Sequence, residues 1–562
     1  MKIYISKTND ILNHEGFHLQ QDNFGTNFSA PWNDFGYTVK FKLLHVNKGS
    51  SNSIGELRFL INKIENTFEY LSNSAKEVHN NIFDITETLE KLDAVSVGLN
   101  IQYYRKINIS LNSELSSIDT LLGKLHDASY LIHQEEKYSL YEGFNETILR
   151  EEAPVRNIIR KGYSIAKGDY NGKKEFEFNV ESNLETIENV EIKFNTSRKI
   201  GKTNINLLIG KNGSGKTHIL SSLVNKFTGL YEQQEQLPFF HKLIVIAYSP
   251  FEQFMSQDKL LDEIEKNNKR KSSKKNTNEY KKQRRISINK YSYIGFKNEK
   301  NNFDITWPKK FSTLSIIKVM EKDWDDLWYR DKTRLDSLKE TLSLCIDFDS
   351  LALKIKQESK ESFFILSDNY VAFKLIKEYI CIEEGLFLLK DEKPVSLSSG
   401  QEIYSYMIPA IIAEVEEESL LIMDEPELYL HPSMETGLMN MLKYILEINK
   451  SYAVIATHSA IIAREVHHEG IHIMRRNKEG RTTVDTPSTQ TFGQSLEVII
   501  SESFDDNISN KPYEIELKET IDNIGCNSVL EEYSRDMGNS ALAYTLATLS
   551  KDENHEIELR GL

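Results

Sequence analysis

Short, largely apolar segments recur along the chain and are separated by longer amphipathic stretches. Residues 205–209, 243–248, 419–423 and 452–456 are such segments, each five or six residues long. Apolar runs of this length are typical of strands that are buried on both faces of a parallel sheet. The pattern therefore predicts an α/β fold in which a mixed or parallel sheet is flanked by helices.

The first part of the chain has a different pattern. Residues 37–44 and 55–61 contain alternating or apolar runs that predict strands, which suits a β-rich region over residues 1–62. From residue 63 to 152 the pattern becomes helical, and the next proline is Pro154. The positions that carry this spacing are Ile82, Ile85, Leu89 and Leu92, and then Ile118, Leu121, Leu122 and Leu125. We therefore predict a helical insertion over 63–152.

Composition narrows the class of protein. The chain has 562 residues, of which 39% are hydrophobic and 27% are charged, values typical of a globular protein with more than one domain. Runs of about 18 apolar residues are absent from the sequence, so we expect no membrane span. Cys345, Cys381 and Cys526 are scattered, which excludes a disulfide framework and fits a reducing compartment. We therefore expect a cytoplasmic protein.

A glycine-rich segment lies between the apolar run at 205–209 and a helix-compatible stretch at 218–224. It has the pattern G-x4-G-K-T, with the residues Gly210, Lys211, Asn212, Gly213, Ser214, Gly215, Lys216 and Thr217. Glycines let backbone N–H groups approach a phosphate, the lysine reaches its oxygens, and the threonine hydroxyl can ligate Mg²⁺. The segment therefore predicts a site for a nucleoside triphosphate.

Three later segments carry further candidate chemistry. One strand ends in Asp424 and Glu425, placed to hold Mg²⁺ and to orient the attacking water, respectively. The next strand is followed by His458, which can sense a terminal phosphate. A helix-like stretch begins with groups suited to an anion, namely Ser398, Ser399, Gly400 and Gln401. Each motif alone is also compatible with an ordinary turn, but their order is informative.

This order resembles that of ABC-type ATPase heads: Walker A, signature, Walker B and switch histidine. The stretch from Pro426 to Pro432 resembles the chromosome-repair and overcoming-lysogenization-defect branch more than a transporter. The resemblance implies ATP and Mg²⁺ as cofactors and ATP hydrolysis as the activity. Because the signature acts in trans in such heads, it also implies a homodimer or higher oligomer. Ser399 departs from the glycine that is usual at this place, which could alter closure.

With this resemblance we expect an ABC-ATPase head with helical insertions. Its later regions are a core with Walker A (153–255), a basic loop and helical subdomain (256–396), the signature, Walker B and switch region (397–476), and a C-terminal region (477–562). Gln253 follows the apolar run at 243–248 and is our candidate for a glutamine that contacts the metal and the water. An exposed glutamine after a turn is an equal alternative.

One segment opposes the acidic trend of the chain, whose net charge is −15. Residues 266–285 contain ten basic side chains and one acid, Glu279. The basic residues are Lys266, Lys269, Arg270, Lys271, Lys274, Lys275, Lys281, Lys282, Arg284 and Arg285. Nucleic-acid contact through this loop and a solvated insertion without a ligand both remain open.

The stretch after His458 lacks the features of a nuclease. It has no Asp-x-Asp pair of the kind that a TOPRIM module needs to bind Mg²⁺. The layout resembles the PtuA ATPases of Septu and retron-associated antiphage systems. The resemblance implies an HNH nuclease partner gated by ATP and, in the retron form, a reverse transcriptase with its RNA–DNA product.

Two other classes were weighed. A DNA-repair or chromosome-associated clamp would need a longer coiled coil than residues 63–152 can supply, and heptads are not sustained there. A protein that acts in translation would normally carry two ATPase heads, whereas one phosphate loop is present. The antiphage ATPase is therefore our preferred prediction, and the clamp is the alternative.

Overall fold

A computed structural model describes residues 1–21, 36–149, 152–170, 172, 174–182, 184–228, 238, 240–267, 291–328, 332–357, 360–503 and 511–560. The chain divides into two compact units, Met1–Phe492 and Gly493–Leu562. The first unit contains every residue predicted to bind nucleotide or metal.

The strands, in chain order, are β1 (Ile3–Ser6), β2 (Gly16–Gln21), β3 (Lys40–Asn47), β4 (Ser50–Ile61), β5 (Lys76–His79), β6 (Ile82–Asp84), β7 (Ala94–Gly98), β8 (Glu175–Val180), β9 (Val190–Asn195), β10 (Ile205–Ile209), β11 (Lys242–Ala247), β12 (Tyr291–Gly295), β13 (Ser350–Gln357), β14 (Lys360–Ile365), β15 (Leu386–Lys390), β16 (Lys393–Pro394), β17 (Ser419–Asp424), β18 (Tyr452–Thr457), β19 (Ile471–Arg476) and β20 (Thr482–Asp485).

The α-helices are α1 (Thr67–Asn73), α2 (Thr86–Leu89), α3 (Ile101–Ser110), α4 (Leu115–Lys124), α5 (Glu135–Tyr138), α6 (Glu152–Lys167), α7 (Lys216–Thr228), α8 (Gln257–Asn267), α9 (Trp307–Asp326), α10 (Arg334–Ser343), α11 (Tyr370–Ile376), α12 (Ser399–Glu414), α13 (Pro432–Ile448), α14 (Ala460–Arg464), α15 (Leu496–Ser503), α16 (Pro512–Ile524), α17 (Cys526–Tyr533) and α18 (Asn539–Arg560). Short 3₁₀ segments lie at Ile132–Gln134, Lys377–Tyr379, Ile382–Glu384, His468–Gly470 and Ser534–Asp536.

One seven-stranded sheet carries the predicted nucleotide-binding residues at the ends of β10, β17 and β18, and is called the catalytic sheet below. Its strand order is β12-β11-β17-β18-β10-β19-β20. Its strands run parallel, except that β20 pairs antiparallel with β19. The register aligns the carboxyl ends, because Ile209 lies opposite Thr457 and Asp424 lies opposite both Ala456 and Ala247. The loops after β10, β11, β17 and β18 therefore meet at one edge, where open α/β sheets bind their ligands.

The interior of this sheet explains why the apolar runs form its strands. Every residue of β10, β11, β17 and β18 is buried. Helix α7 packs on the sheet together with the β8–β9 hairpin, and rings from Phe176, Phe194 and Tyr452 meet with centroids 4.8–5.2 Å apart. The predicted α/β fold with a mixed sheet and flanking helices is confirmed.

A second sheet occupies the first hundred residues, with the strand order β5-β6-β1-β2-β3-β4-β7. Helices α1, α3, α4 and α6 contribute to its apolar core. This part contacts the catalytic sheet at the amino edge, opposite the converging loops. Arg105 pairs with Glu417 at 2.5 Å, Lys161 pairs with Glu418 at 3.3 Å, and the Tyr170 hydroxyl donates to Glu418 at 2.6 Å.

The predicted helical insertion over 63–152 requires a correction. Strands β5, β6 and β7 lie inside it, and helices dominate only after Gly98. Ile82 belongs to β6 and pairs with Ser6, whereas Ile85 caps and Leu89 ends the single helical turn α2. All three side chains are buried in the same module, so a strand end and a short turn reproduce the spacing of a helix face. The later set of apolar positions does lie on or beside α4.

The region between the Gln253 loop and the signature also differs from its prediction. Helices α9 and α10 are present, but so is an antiparallel sheet in the order β14-β13-β15-β16. Residues 268–285 of the basic segment lie outside the described residues. The predicted boundary at 476/477 falls before β20, which pairs with β19 and thus belongs to the catalytic sheet.

Among the described residues, helices that combine enough length and apolar character to cross a membrane are absent.

Candidate nucleotide-binding site

The phosphate loop connects β10 to α7, and two of its glycines have backbones that exclude a side chain. Gly210 has φ +152°, and a Cβ there would lie 2.3 Å from the Met474 carbonyl oxygen. Gly215 has φ +97°, and its Cβ would lie 2.6 Å from Ile187 Cδ1. Only glycine fits these positions without displacing its neighbours, so the loop backbone remains open to a ligand.

Lys216 begins α7 and lies under the loop. Its Nζ donates to the Gly210 carbonyl oxygen at 3.0 Å and lies 2.6 Å from His458 Nε2. Burial lowers the pKa of Lys216, while the nearby Glu425 and Asp424 carboxylates raise it. The ammonium is therefore held between the loop and the ends of β17 and β18, where a bound phosphate would compete for it.

Thr217 and Asp424 form the second contact across this edge. The Thr217 hydroxyl donates to Asp424 Oδ2 at 3.0 Å. The pKa of Asp424 is raised to about 6, chiefly by burial and also by the neighbouring Glu425 and Glu252, although Thr217 and Lys216 act to lower it. A hydroxyl and a carboxylate are the oxygen ligands that Mg²⁺ prefers, so this pair fits the metal of a nucleotide site.

Glu425 is positioned by an unusual backbone. Its φ is +47°, in the left-handed region, and its N–H donates to the Ala456 carbonyl oxygen at 2.9 Å. The side chain approaches His458, with Oε1 3.3 Å from Nε2. The hydrogen bond to His458 lowers the pKa of Glu425 although burial opposes this. Strained backbone of this kind concentrates at functional sites.

His458 therefore has two partners on one nitrogen. Nε2 can accept from the Lys216 ammonium or, when it carries a proton, donate to Glu425. The structure brings Lys216, Thr217, Asp424, Glu425 and His458 into one contiguous contact chain. These residues are separated by up to 242 positions in the sequence.

Glu427 is a site residue that the sequence did not reveal. Its Oε1 accepts from the Thr457 hydroxyl and from the His458 N–H, both at 2.7 Å. Burial raises the pKa of Glu427, and its Oε2 has no hydrogen-bond partner among the described residues. Glu427 thus fixes the loop that carries His458. The motif Asp-Glu-Pro-Glu could have suggested it, but only the strand pairing gives it this role.

Arg476 is a second such residue. It ends β19, the neighbour of the phosphate-loop strand, and its Nη1 donates to the Gly213 carbonyl oxygen at 3.2 Å. This contact places a positive charge beside the loop without any sequence motif to indicate it. Inside the loop, Ser214 Oγ is buried and has no hydrogen-bond partner among the described residues. An unsatisfied hydroxyl and an adjacent guanidinium both suit a phosphate ligand.

The signature residues make local contacts. Ser398 caps α12: its hydroxyl accepts from the Gln401 N–H at 3.4 Å, and Gln401 Oε1 accepts from the Ser398 N–H at 3.0 Å. Ser398 and Ser399 are exposed, whereas Gly400 is buried against Met434. The first turn of α12 therefore presents two hydroxyls at the surface of the molecule.

Gln253 is exposed on the loop after β11. Its neighbour Glu252 is buried instead, with Oε1 2.8 Å from Lys297 Nζ and 2.9 Å from the Tyr293 hydroxyl. The assignment of Gln253 as a metal ligand stays a prediction. Lys211 and Asn212 are also exposed, on the outer side of the phosphate loop.

Comparison with known proteins agrees with this site. Residues 347–464 match the family described as "AAA domain, putative AbiEii toxin, Type IV TA system". A curated relative, "Protein ea59" of Escherichia phage lambda, is 25% identical over 362 residues, which are 61% of this chain and 62% of that protein. The alignment thus spans about three fifths of the relative's length.

Solved ABC ATPases have low overall similarity to the chain. The ADP conformation of MJ1267, an ATP-binding cassette of an ABC transporter, is 13% identical, with 58% of this chain and 96% of that chain covered and a TM-score of 0.27. CbiO1 from Clostridium perfringens, part of the cbiONQ ABC transporter complex, is also 13% identical. The match covers 64% of this chain and 100% of that chain, with a TM-score of 0.25.

Fold and site together define an ATPase domain of the ABC/AAA type. The sheet places a strand between the phosphate-loop strand and the Asp424 strand, and the five site residues meet where this class binds nucleotide. The stretch that matches the AAA family, residues 347–464, includes Ser398, Asp424, Glu425 and His458.

Proposed function

We propose that the chain is an ATP-binding and ATP-hydrolysing subunit of a bacterial antiphage defence complex, in which its nucleotide state gates a partner nuclease of the HNH type. The contact chain from Lys216 to Glu425 carries the ATPase part of this proposal. The name of the matched family supports the defence setting, because it refers to a putative toxin of a toxin–antitoxin system.

Each residue of the contact chain has a task in this proposal. Lys216 neutralises the terminal phosphates, and Thr217 with Asp424 supplies oxygen ligands for Mg²⁺, which draws charge from the phosphate oxygens when bound. Glu425 accepts a hydrogen bond from the attacking water and so orients and polarises it. His458 contacts both Lys216 and Glu425 through Nε2, and its contact with Glu425 lowers the pKa of that carboxyl group.

We place a second protomer opposite the nucleotide. Ser398 and Ser399 lie exposed at the start of α12, and the helix dipole favours an anion there. A homodimer, or a higher oligomer built from such dimers, would bring this turn onto the nucleotide of its partner. The local cap between Ser398 and Gln401 preforms the turn, so closure requires little reorganisation.

A separate nuclease subunit supplies the cleavage chemistry in this proposal. Within the described part of the chain, the group of side chains that could hold a metal is His467, His468 and Glu469. Arg198 Nη1 lies 2.7 Å from His467 Nδ1, and Arg198 also pairs with Glu469. A guanidinium in this place opposes a cation, so we do not assign nuclease activity to these residues.

Nucleic acid and a reverse transcriptase belong to the same proposal. The basic loop at 266–285 supplies ten positive side chains, enough for several phosphate contacts. In a retron-associated complex, this loop would contact the RNA–DNA product of the reverse transcriptase. We expect binding of nucleic acid to this loop to weaken steeply as the salt concentration rises.

The deciding experiment compares wild-type protein with Glu425→Gln and Lys216→Ala, each tagged and isolated from the native host with ATP and Mg²⁺. We expect Glu425→Gln to lose about 100-fold or more of the ATPase rate while retaining bound ATP, because the water loses its carboxylate acceptor. Lys216→Ala should lose nucleotide binding itself. Rapid exchange of ATP from Glu425→Gln would contradict the role of Glu425.

The proteins that accompany the ATP-trapped variant test the second half of the proposal. An HNH nuclease that is recovered with Glu425→Gln and lost with Lys216→Ala would support ATP-gated coupling. Recovery of chromosome-associated proteins alone would favour the clamp alternative. The Lys216→Ala protein is a matched control because it differs from Glu425→Gln in nucleotide binding while sharing the same fold.

A further inference from the structure

The C-terminal unit has a small apolar interior. Within the described residues 511–560, its buried cluster consists of Ile521, Cys526 and Val529. Other apolar side chains of the same helices are at the surface, with exposed fractions of 48% for Ile515 and 43% for Tyr533. Helical segments of this size bury little apolar area by themselves, so contact with a further apolar surface would stabilise them.

A groove of about 740 Å³ lies between α16, α17 and the start of α18. Apolar side chains line much of it, among them Leu517, Tyr533 and Met537. The charged residues of its lining are both acidic, Glu516 and Asp536, and both are exposed. The groove is therefore an apolar channel with negative charge at its rim.

The charge of the whole unit has the same sign. Residues 493–562 contain fifteen acidic and five basic side chains, so this stretch carries ten of the chain's fifteen net negative charges. Exposed acids continue along the two helices that flank the groove, at Glu519 and Asp522 on α16 and at Glu531 and Glu532 on α17. A negative field of this extent selects among possible occupants.

Two classes of occupant are opposed by this field. Nucleic acid would bring phosphates toward a negative surface, and a second copy of the unit would bring another ten net negative charges. A helix with one apolar face and lysine or arginine beside it satisfies both features of the groove. Its apolar face would cover Leu517 and Tyr533, and its cations would lie beside Glu516 and Asp536.

We infer that the groove formed by α16, α17 and the start of α18 is a docking site for a basic amphipathic helix of a different protein. The docking site lies in a compact unit without the nucleotide-binding residues, so its occupancy is measured independently of ATP turnover. The assignment does not require that the partner be a nuclease.

The test uses a fluorescent 18-residue peptide of leucine and lysine, with leucines at the spacing of one helix face, and the full-length chain. Two comparison peptides replace every lysine by glutamate or scramble the leucine positions. Fluorescence anisotropy at moderate salt should show binding of the Leu/Lys helix at least about tenfold tighter than either comparison. Equal binding of the Leu/Lys and scrambled peptides would overturn the inference.

Two pairs of variants locate the binding. Glu516→Lys with Asp536→Lys should weaken it about tenfold, whereas the control Glu142→Lys with Glu146→Lys makes the same charge change at exposed positions of the first unit. If the Leu/Lys peptide bound more tightly than the comparison peptides but both double variants bound it with the same affinity, the assignment to this groove would also be overturned.

The apolar contact has its own pair. Tyr533→Ser should weaken peptide binding, and Ile515→Ser, equally exposed but outside the groove, should not. The Lys216→Ala protein should bind the peptide like the wild type, so a failed ATPase proposal and a failed docking proposal remain distinguishable. Tighter binding of an anionic oligonucleotide than of the peptide at this groove, or dimerisation blocked by Tyr533→Ser, would replace the proposed occupant.

Discussion

Asp424 is 5% exposed and lies between a threonine hydroxyl and a second carboxylate. This environment suits a metal ligand, because a bound cation would balance the negative charge that is costly to bury. Without that charge, the ionised carboxylate is unfavourable, which is why the pKa of Asp424 rises to about 6. The buried carboxylate therefore favours metal binding and lowers the stability of the metal-free fold.

The first prediction concerns Asp424→Asn. Above pH 6 the ionised Asp424 costs stability because its folded pKa exceeds its unfolded value, so the neutral amide should raise the free energy of unfolding by about 1–3 kcal/mol in metal-free buffer at pH 7.5. ATP hydrolysis should be abolished. Chemical denaturation and a phosphate-release assay measure the two effects. The stability gain should vanish near pH 4, and a destabilised variant at pH 7.5 would contradict this account.

The residues of the site differ in how far the sequence could predict them. Lys216, Thr217 and Asp424 belong to short motifs in which each residue type has a chemical reason, and the structure brings these residues together. Glu427 and Arg476 act through contacts with a neighbouring strand's loop. These contacts depend on the order of the strands in the sheet, which local sequence patterns do not determine.

At the scale of elements, α12 connects the two halves of the site. It begins at Ser399, directly after its cap residue Ser398, and ends at Glu414, five residues before β17 and its terminal Asp424. Glu414 is buried and pairs with Lys242 of β11 at 2.5 Å and with Lys318 of α9 at 2.6 Å. Those lysines hold the pKa of Glu414 well below its usual range despite its burial. The end of α12 is therefore fixed to the sheet, while its first turn is exposed.

The second prediction tests this anchor. Glu414→Ala leaves Lys242 and Lys318 without their shared carboxylate, so we expect a loss of about 3 kcal/mol or more in the free energy of unfolding. Glu402→Ala, at an exposed position of the same helix, should change it by less than about 0.5 kcal/mol. Urea denaturation of both variants provides the measurement. Similar midpoints for the two would refute the anchoring role.

Element prediction succeeded for the four apolar runs of the catalytic sheet and failed for the strands within residues 63–152. The runs that became β10, β11, β17 and β18 are largely apolar and fully buried, since helices or a hairpin cover both faces of the sheet. Strands β5 and β6 are short and lie at one side of the N-terminal sheet, and every residue of β5 is exposed. Such strands have few apolar residues, so the helix-like spacing of Ile82, Ile85 and Leu89 led to the prediction of a helix.

At the scale of the whole molecule, two histidines buried in different sheets contribute to the sensitivity of the fold to acid. His18 lies in the N-terminal sheet and His472 in the catalytic sheet, and burial lowers the pKa of each to about 4. His472 Nε2 donates to Asn206 Oδ1 at 2.9 Å, which ties β19 to the phosphate-loop strand. In the unfolded chain both rings take up protons near pH 6.5.

The third prediction follows from this difference. Because the unfolded chain binds more protons between pH 6.5 and 4, stability should be full above pH 6.5 and fall as the pH drops toward 4, by up to about 3 kcal/mol for each histidine. His472→Gln should reduce this slope, whereas replacing the exposed His133 by Gln should leave it unchanged. Denaturation midpoints from pH 4 to 7.5 provide the measurement, and parallel pH curves for the two variants would contradict the assignment.

The strand order of the catalytic sheet also has a consequence for biosynthesis. The hydrogen-bonded neighbours of β10 are β18 and β19, which are made long after Ile209. At a translation rate of about 5–20 residues per second, this delay lasts roughly ten to fifty seconds. During that time the largely apolar β10 lacks both of its neighbouring strands, so a nucleotide cannot stabilise the site until most of the chain has been made. We therefore expect the nascent chain to need protection by chaperones before a bound nucleotide can stabilise it.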